Sequence, residues 1–290
     1  MKIRIKVIGI LALVLAVAVF LGYRAVAAVR RDSTPPQIHL EAGILEVSVK
    51  DGSEALLQGV TATDNRDGDV TASVVVEGVE LLDGSGRICV RYAAFDSAGN
   101  VTKATREGAY TDYQRPRFTL RTPLLYRYGS TFDVLSTVGA EDMLEGDIQH
   151  RIRATSLGQE TITLLGSHDV RFQVTNALGD TVTLVLPVEV YDPQQYSATV
   201  TLNRYLIYLE PGEAFAPEKY LGVFTLMGTD TNLRGGLPKG FELRTTGTVD
   251  TSKPGVYPVE YRVVYREKNG VSAAEREYTA YTKLIVVVEG

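Results

Sequence analysis

An internal repeat with a period near 80 residues constrains this chain more than any other feature. Thr63-Asp-Asn-Arg-Asp-Gly-Asp-Val70 returns 78 residues later as Glu141-Asp-Met-Leu-Glu-Gly-Asp-Ile148. Gly86-Arg-Ile-Cys-Val-Arg-Tyr-Ala-Ala-Phe-Asp-Ser-Ala-Gly-Asn100 returns 80 residues later as Gly166-Ser-His-Asp-Val-Arg-Phe-Gln-Val-Thr-Asn-Ala-Leu-Gly-Asp180. A more divergent copy, Gly255-Val-Tyr-Pro-Val-Glu-Tyr-Arg-Val263, keeps the glycine, valine and aromatic in register with Gly86, Val90 and Tyr92. A repeat of this length marks one folding unit used again, and 290 residues hold three.

Within each copy apolar and polar residues alternate, as half-buried strands require, between Asp-Gly, Ala-Gly-Asn and Leu-Gly-Asp turns. Helical periodicity is nearly absent after residue 32, so the expectation is an all-β chain of tandem sandwiches rather than one large barrel. Prolines place the joints at Thr34-Pro-Pro36, Tyr113-Gln-Arg-Pro116 and Tyr191-Asp-Pro193, giving domains 34–113, 114–193 and 194–290 in a semi-rigid row. The lone Cys89 allows no intrachain disulfide and is expected as a buried thiol. Nine of the sixteen tyrosines lie in the third domain; the series Tyr257, Val259, Tyr261, Val263, Tyr265 falls on one strand face, and most of it is expected to be core.

The N-terminus is of another kind. Residues 1–31 carry six basic and no acidic side chains, and Val7 to Tyr23 is uncharged. Those 17 residues span roughly 25 Å as a helix, close to the hydrocarbon thickness. Two readings stand: a transmembrane signal anchor over 1–31 with the N-terminus inside, or a signal cleaved after Ala25-Val26-Ala27 that releases a secreted protein. Beyond residue 31, 24 basic residues face 35 acidic ones, a formal charge of −11. That balance argues against nucleic acid as a partner.

The stretches Pro35-Pro36, Ala62-Thr-Asp-Asn-Arg-Asp-Gly-Asp-Val-Thr71 and Val90-Arg-Tyr-Ala-Ala-Phe-Asp-Ser-Ala-Gly-Asn100 resemble the bacterial surface Ig-like repeats of many Gram-positive exported proteins. Val249-Asp-Thr-Ser-Lys-Pro-Gly-Val-Tyr257 is similar to another phrase of that family. The resemblance implies immunoglobulin-like β-sandwiches that serve as stalks, spacers or adhesive modules without catalytic residues.

Few residues are candidates for chemistry. Asp64, Asn65, Asp67 and Asp69 crowd hard oxygen ligands into one turn beside Gly68, which reads either as a structural turn or as a calcium site; no other cofactor is expected. His39, His150 and His168 sit in no recognised catalytic pattern, so the chain is expected not to be an enzyme. In the third domain the polar, glycine-rich stretch Gly228–Gly240, with Asn232, Arg234 and Lys239, is either a plain connection or a recognition loop. Strand parity turns at least one ring of Tyr205 and Tyr208 outward. The expected function is a membrane-anchored surface module that binds an unidentified surface protein or glycan; the alternatives are a purely structural spacer and a secreted binding protein.

Overall fold

The computed structural model describes residues 11, 13–24, 32–156, 164–268 and 275–290. Residues 13–24 are helical with exposed side chains, and among the described residues no helix is long and apolar enough to cross a membrane. Positions 1–10, 12 and 25–31 lie outside the described residues, so the span expected from Val7 to Tyr23 falls only partly within them.

Beyond Asp32 the repeat becomes a repeated topology. The first copy forms strands β1 (Gln37–Leu40), β2 (Leu45–Val47), β3 (Val60–Asp64), β4 (Gly68–Asp69), β5 (Val75–Leu81), β6 (Arg87–Phe95) and β7 (Val101–Tyr110). They build one sheet ordered β1-β3-β4 and a second ordered β2-β7-β6-β5. All neighbours are antiparallel except β2 and β7, which run parallel. The second copy comprises β8 (Arg117–Leu120), β9 (Leu125–Arg127), β10 (Val138–Asp142), β11 (Gly146–Asp147), β12 (Arg153–Ser156), β13 (Gly166–Thr175) and β14 (Thr181–Tyr191). The third comprises β15 (Thr199–Leu202), β16 (Leu206–Leu209), β17 (Leu221–Leu226), β18 (Thr229–Asn232), β19 (Phe241–Thr246), β20 (Gly255–Lys268) and β21 (Glu275–Val288). Their sheets, β8-β10-β11 with β9-β14-β13-β12 and β15-β17-β18 with β16-β21-β20-β19, repeat the first pattern strand for strand.

One aromatic anchors each core at the position the repeat marks. Tyr92, Phe172 and Tyr261 are fully buried on β6, β13 and β20, and burying a side chain of this size stabilises a fold by about 1.5–3 kcal/mol. A buried hydroxyl needs a partner: that of Tyr92 donates to the Leu56 carbonyl at 2.7 Å and that of Tyr261 to the Pro217 carbonyl at 3.0 Å. Val259 and Val263 are buried beside Tyr261, as the alternation predicts. Cys89 differs from expectation: Ile88, Val90 and Tyr92 take the inner face of β6, so strand parity turns Cys89 to the outer, partly exposed face.

The chain divides into two compact units, Met1–Tyr113 and Gln114–Gly290. In the latter the second and third sandwiches share apolar packing. Leu284 and Val286 on β21 face the third core, whereas Ile285 and Val287 pack with Phe118, Phe172 and Val188 of the second. The parallel partner β16 does the same, with Ile207 and Leu209 inward and Leu206 toward the second sandwich. This is why Leu284-Ile-Val-Val-Val288 does not alternate: the strand is buried on both faces.

Polar contacts fix the same seam. The Arg117 guanidinium donates to both carboxylate oxygens of Glu289, at 3.1 and 2.5 Å, and lies 5.0 Å over the Tyr208 ring. The Tyr208 hydroxyl accepts from the Phe118 backbone N–H at 2.9 Å and donates to the Phe118 carbonyl at 3.2 Å. Lys283, only 6% exposed at its side chain, pairs with Glu189, which also accepts from the Tyr281 hydroxyl at 2.9 Å. Tyr196 stacks on Tyr281 with ring centres 5.2 Å apart.

Candidate functional site

The acidic turn and the β6–β7 turn lie at one end of the first sandwich, because β3 and β6 both finish there. Antiparallel pairing sets Thr63 opposite Asp69 and Asp64 opposite Gly68, and Gly68 takes the φ of +73° that the bend needs. Oδ1 of Asp64 accepts from the backbone N–H groups of Arg66 at 2.7 Å and Asp67 at 2.9 Å. Those two donors, that of Asp67 first, hold the Asp64 carboxyl below its ordinary value, so it stays ionised at neutral pH.

Of the four ligands expected from the sequence, the carboxylates of Asp64, Asp67 and Asp69 do not form one group facing a common point. Asp67 accepts instead from the N–H and hydroxyl of Ser97, at 2.7 and 2.9 Å, tying one turn to the other. Asp69 caps the Thr71 N–H at 2.9 Å. What comes together is a different set: Asp32, Asp64 and Asp96 each offer a carboxylate oxygen, and these lie within 4.8 Å of one another. Among the described residues no other group of three or more His, Cys, Asp or Glu side chains is so arranged. Oδ2 of Asp64 is fully enclosed and has no hydrogen-bond partner. Asp96 is 8% exposed and accepts from the N–H and side-chain amide of Asn100, at 2.7 and 2.6 Å. Asp32 accepts from the Thr34 N–H at 3.0 Å and lies 3.5 Å from Nε of the half-exposed Arg66.

The second sandwich has the same scaffold with its charges settled internally. Asp142 accepts from Leu144 and Glu145 as Asp64 does from Arg66 and Asp67. Glu145 replaces Asp67 and accepts from the Ala177 N–H, and Asn176 replaces Asp96. The Asn176 amide donates to Oδ2 of Asp142 at 2.9 Å, and Arg115 pairs with Asp180 at 2.6 Å.

The third sandwich presents a cleft of about 330 Å³ between β17–β18 and β19–β21, lined by Phe224, Met227, Phe241, Tyr265, Glu267 and Tyr278. Phe241 stacks on Tyr265 at 4.6 Å, and Tyr265 faces Tyr278 at 6.3 Å. Met227 stands at its rim, 86% exposed, with φ of +50° in the two-residue turn that it forms with Gly228. The stretch Gly228–Gly240 is not one loop: Thr229–Asn232 is strand β18, and Leu233, the next residue along the chain, is fully buried. Asn232 is engaged in its own turn, accepting from the Arg234 N–H at 2.9 Å, while Asn232, Arg234 and Lys239 remain exposed. Of Tyr205 and Tyr208, expected to include at least one outward ring, the first is buried and the second only partly exposed. Tyr205 is 9% exposed and its hydroxyl accepts from the Leu202 N–H. Tyr208 does leave the third core, but the second sandwich covers it. Sequence reasoning missed the cleft because its aromatic rings come from β17, β19, β20 and β21 and carry no shared motif.

No protein-family model matches the chain, and no curated protein matches it. Solved structures similar to it include a carbohydrate-binding CBM51-2 and INT domain structure from Clostridium perfringens ZmpB, in complex with GlcNAc, at 20% identity and TM-score 0.22 over 58% of this chain. The protocadherin GammaB4 extracellular domain is similar at 10% identity and TM-score 0.19 over 88% of this chain, and human CDH23 EC21-23 at 12% and 0.20 over 88%. This chain spans 31% of the clostridial chain, 44% of the protocadherin and all of the CDH23 fragment. All three are β-sandwich proteins, and the fold assigned to this chain rests on its own sheets.

Proposed function

We propose that this is a non-enzymatic, Ig-like surface-binding protein, whose joined second and third sandwiches hold the aromatic cleft toward a surface partner. Met227 carries the reading. A two-residue hairpin turn with positive φ prefers Asn, Asp or Gly, and a methionine there is strained and gains no packing while 86% exposed. Such a violation beside a row of stacked rings suits recognition, since exposed methionine and aromatic side chains supply adaptable contact area. The basic and apolar N-terminus supports export, with the chain retained by a membrane helix or released after cleavage.

The test is capture of isolated cell envelopes and purified surface glycans by the full chain and by Met227→Asn. Asparagine suits the turn, so the variant is expected to be at least as stable and yet to capture less. Equal capture by both chains, or none by either, favours the spacer reading. Intact mass of the protein from membrane and medium fractions separates the anchored from the secreted form.

A further inference from the structure

Three carboxylates that share one point repel each other unless something positive joins them. In the first sandwich the enclosed Oδ2 of Asp64 has no donor at all, whereas its counterpart in the second sandwich, Oδ2 of Asp142, is satisfied by Asn176. The two ends share the hairpin, the Asx-type turn and the tie between turns; at the position facing this oxygen Asp96 stands where Asn176 does. Leaving a buried acceptor unsatisfied is destabilising, so the first sandwich carries a penalty that the second avoids. We propose that Asp32, Asp64 and Asp96 hold a divalent cation of the calcium class at the end of the first sandwich, taking up the Asp64 oxygen that the fold leaves without a partner.

The chemistry of the donor set fits. Oxygens bound to one calcium at its usual bond lengths lie at most about 5 Å apart, and the three carboxylates meet that limit. All are hard oxygen donors, which favours calcium over zinc, whose sites draw on nitrogen and sulfur. Among the described residues Arg66 pairs with Asp32 through a long contact at 3.5 Å on a half-exposed side chain, and an ion would displace it. Three protein carboxylates, with water completing the shell, place the affinity with extracellular modules, in the range of about 10⁻⁴–10⁻³ M. The site also ties Asp32, just before β1, to the ends of β3 and β6, so occupancy would fasten the start of the sandwich to its core.

Calorimetric titration of the full chain with calcium chloride tests this. One saturable site per chain is expected, together with a higher unfolding temperature. Asp32→Asn and Asp64→Asn should weaken binding by roughly tenfold or more. Asp96→Asn should abolish it while the chain stays folded in chelator, because the new amide supplies the donor that Asn176 supplies in the second sandwich. Asp69→Asn, in the same turn but outside the cluster, should bind as the parent does. Absence of binding by the parent chain overturns the proposal, and so does undiminished binding by Asp96→Asn or a loss in Asp69→Asn equal to that in Asp64→Asn. Should Asp64→Asn fail to fold through loss of its turn, Asp32→Asn, which lies outside every strand, decides.

Discussion

Asn176 donates its side-chain amide to Oδ2 of Asp142 at 2.9 Å, across the end of the second sandwich, and both residues are more than nine-tenths buried. Replacing Asn176 with Asp removes the donor and sets a second negative charge against Asp142. The variant should lose about 1–3 kcal/mol at neutral pH, and part of the loss should return as acid protonates the new pair. Urea unfolding followed by circular dichroism, at neutral and acidic pH, measures both effects.

At the seam between the second and third sandwiches, Lys283 depends on Glu189. Glu189→Ala leaves a buried ammonium without its counter-charge and should cost about 3–5 kcal/mol. Tyr281→Phe removes one hydrogen bond to the same carboxylate and should cost nearer 1 kcal/mol. Equilibrium unfolding of the two variants should rank them in that order.

Alkali should loosen the same seam. Burial pushes the Tyr208 hydroxyl up to about 12 against an ordinary value of 10.0. A raised value means that the folded state holds the proton more tightly. This stabilisation is complete below pH 10 and is lost as pH rises through about 12. Stability measured across that window should fall less steeply in Tyr208→Phe than in the parent chain.

Where one strand carries its own signal, the sequence is a good guide. The Asp64–Gly68 hairpin, the central positions of Tyr92, Phe172 and Tyr261, and the inward face of β20 are all legible from period and turn chemistry. What depends on distant segments meeting is not. Asp32, Asp64 and Asp96 come from three separate stretches, and nothing local tells Asp64, which faces the cluster, from Asp69, which caps Thr71. Tyr208 obeys strand parity in leaving the third core, but parity is silent on whether another sandwich waits there. The one local trace of that joint is the failure of Leu284–Val288 to alternate.

Hydrogen exchange of the full chain tests most directly the claim that the second and third sandwiches form one body supporting the cleft. Amides of Leu284–Val288, on a strand paired on both sides, are predicted to exchange as slowly as those at the centres of β13 and β20, because apolar cores cover both its faces. Exchange of these amides at the rate of exposed strand edges, with β13 and β20 still protected, would contradict the account.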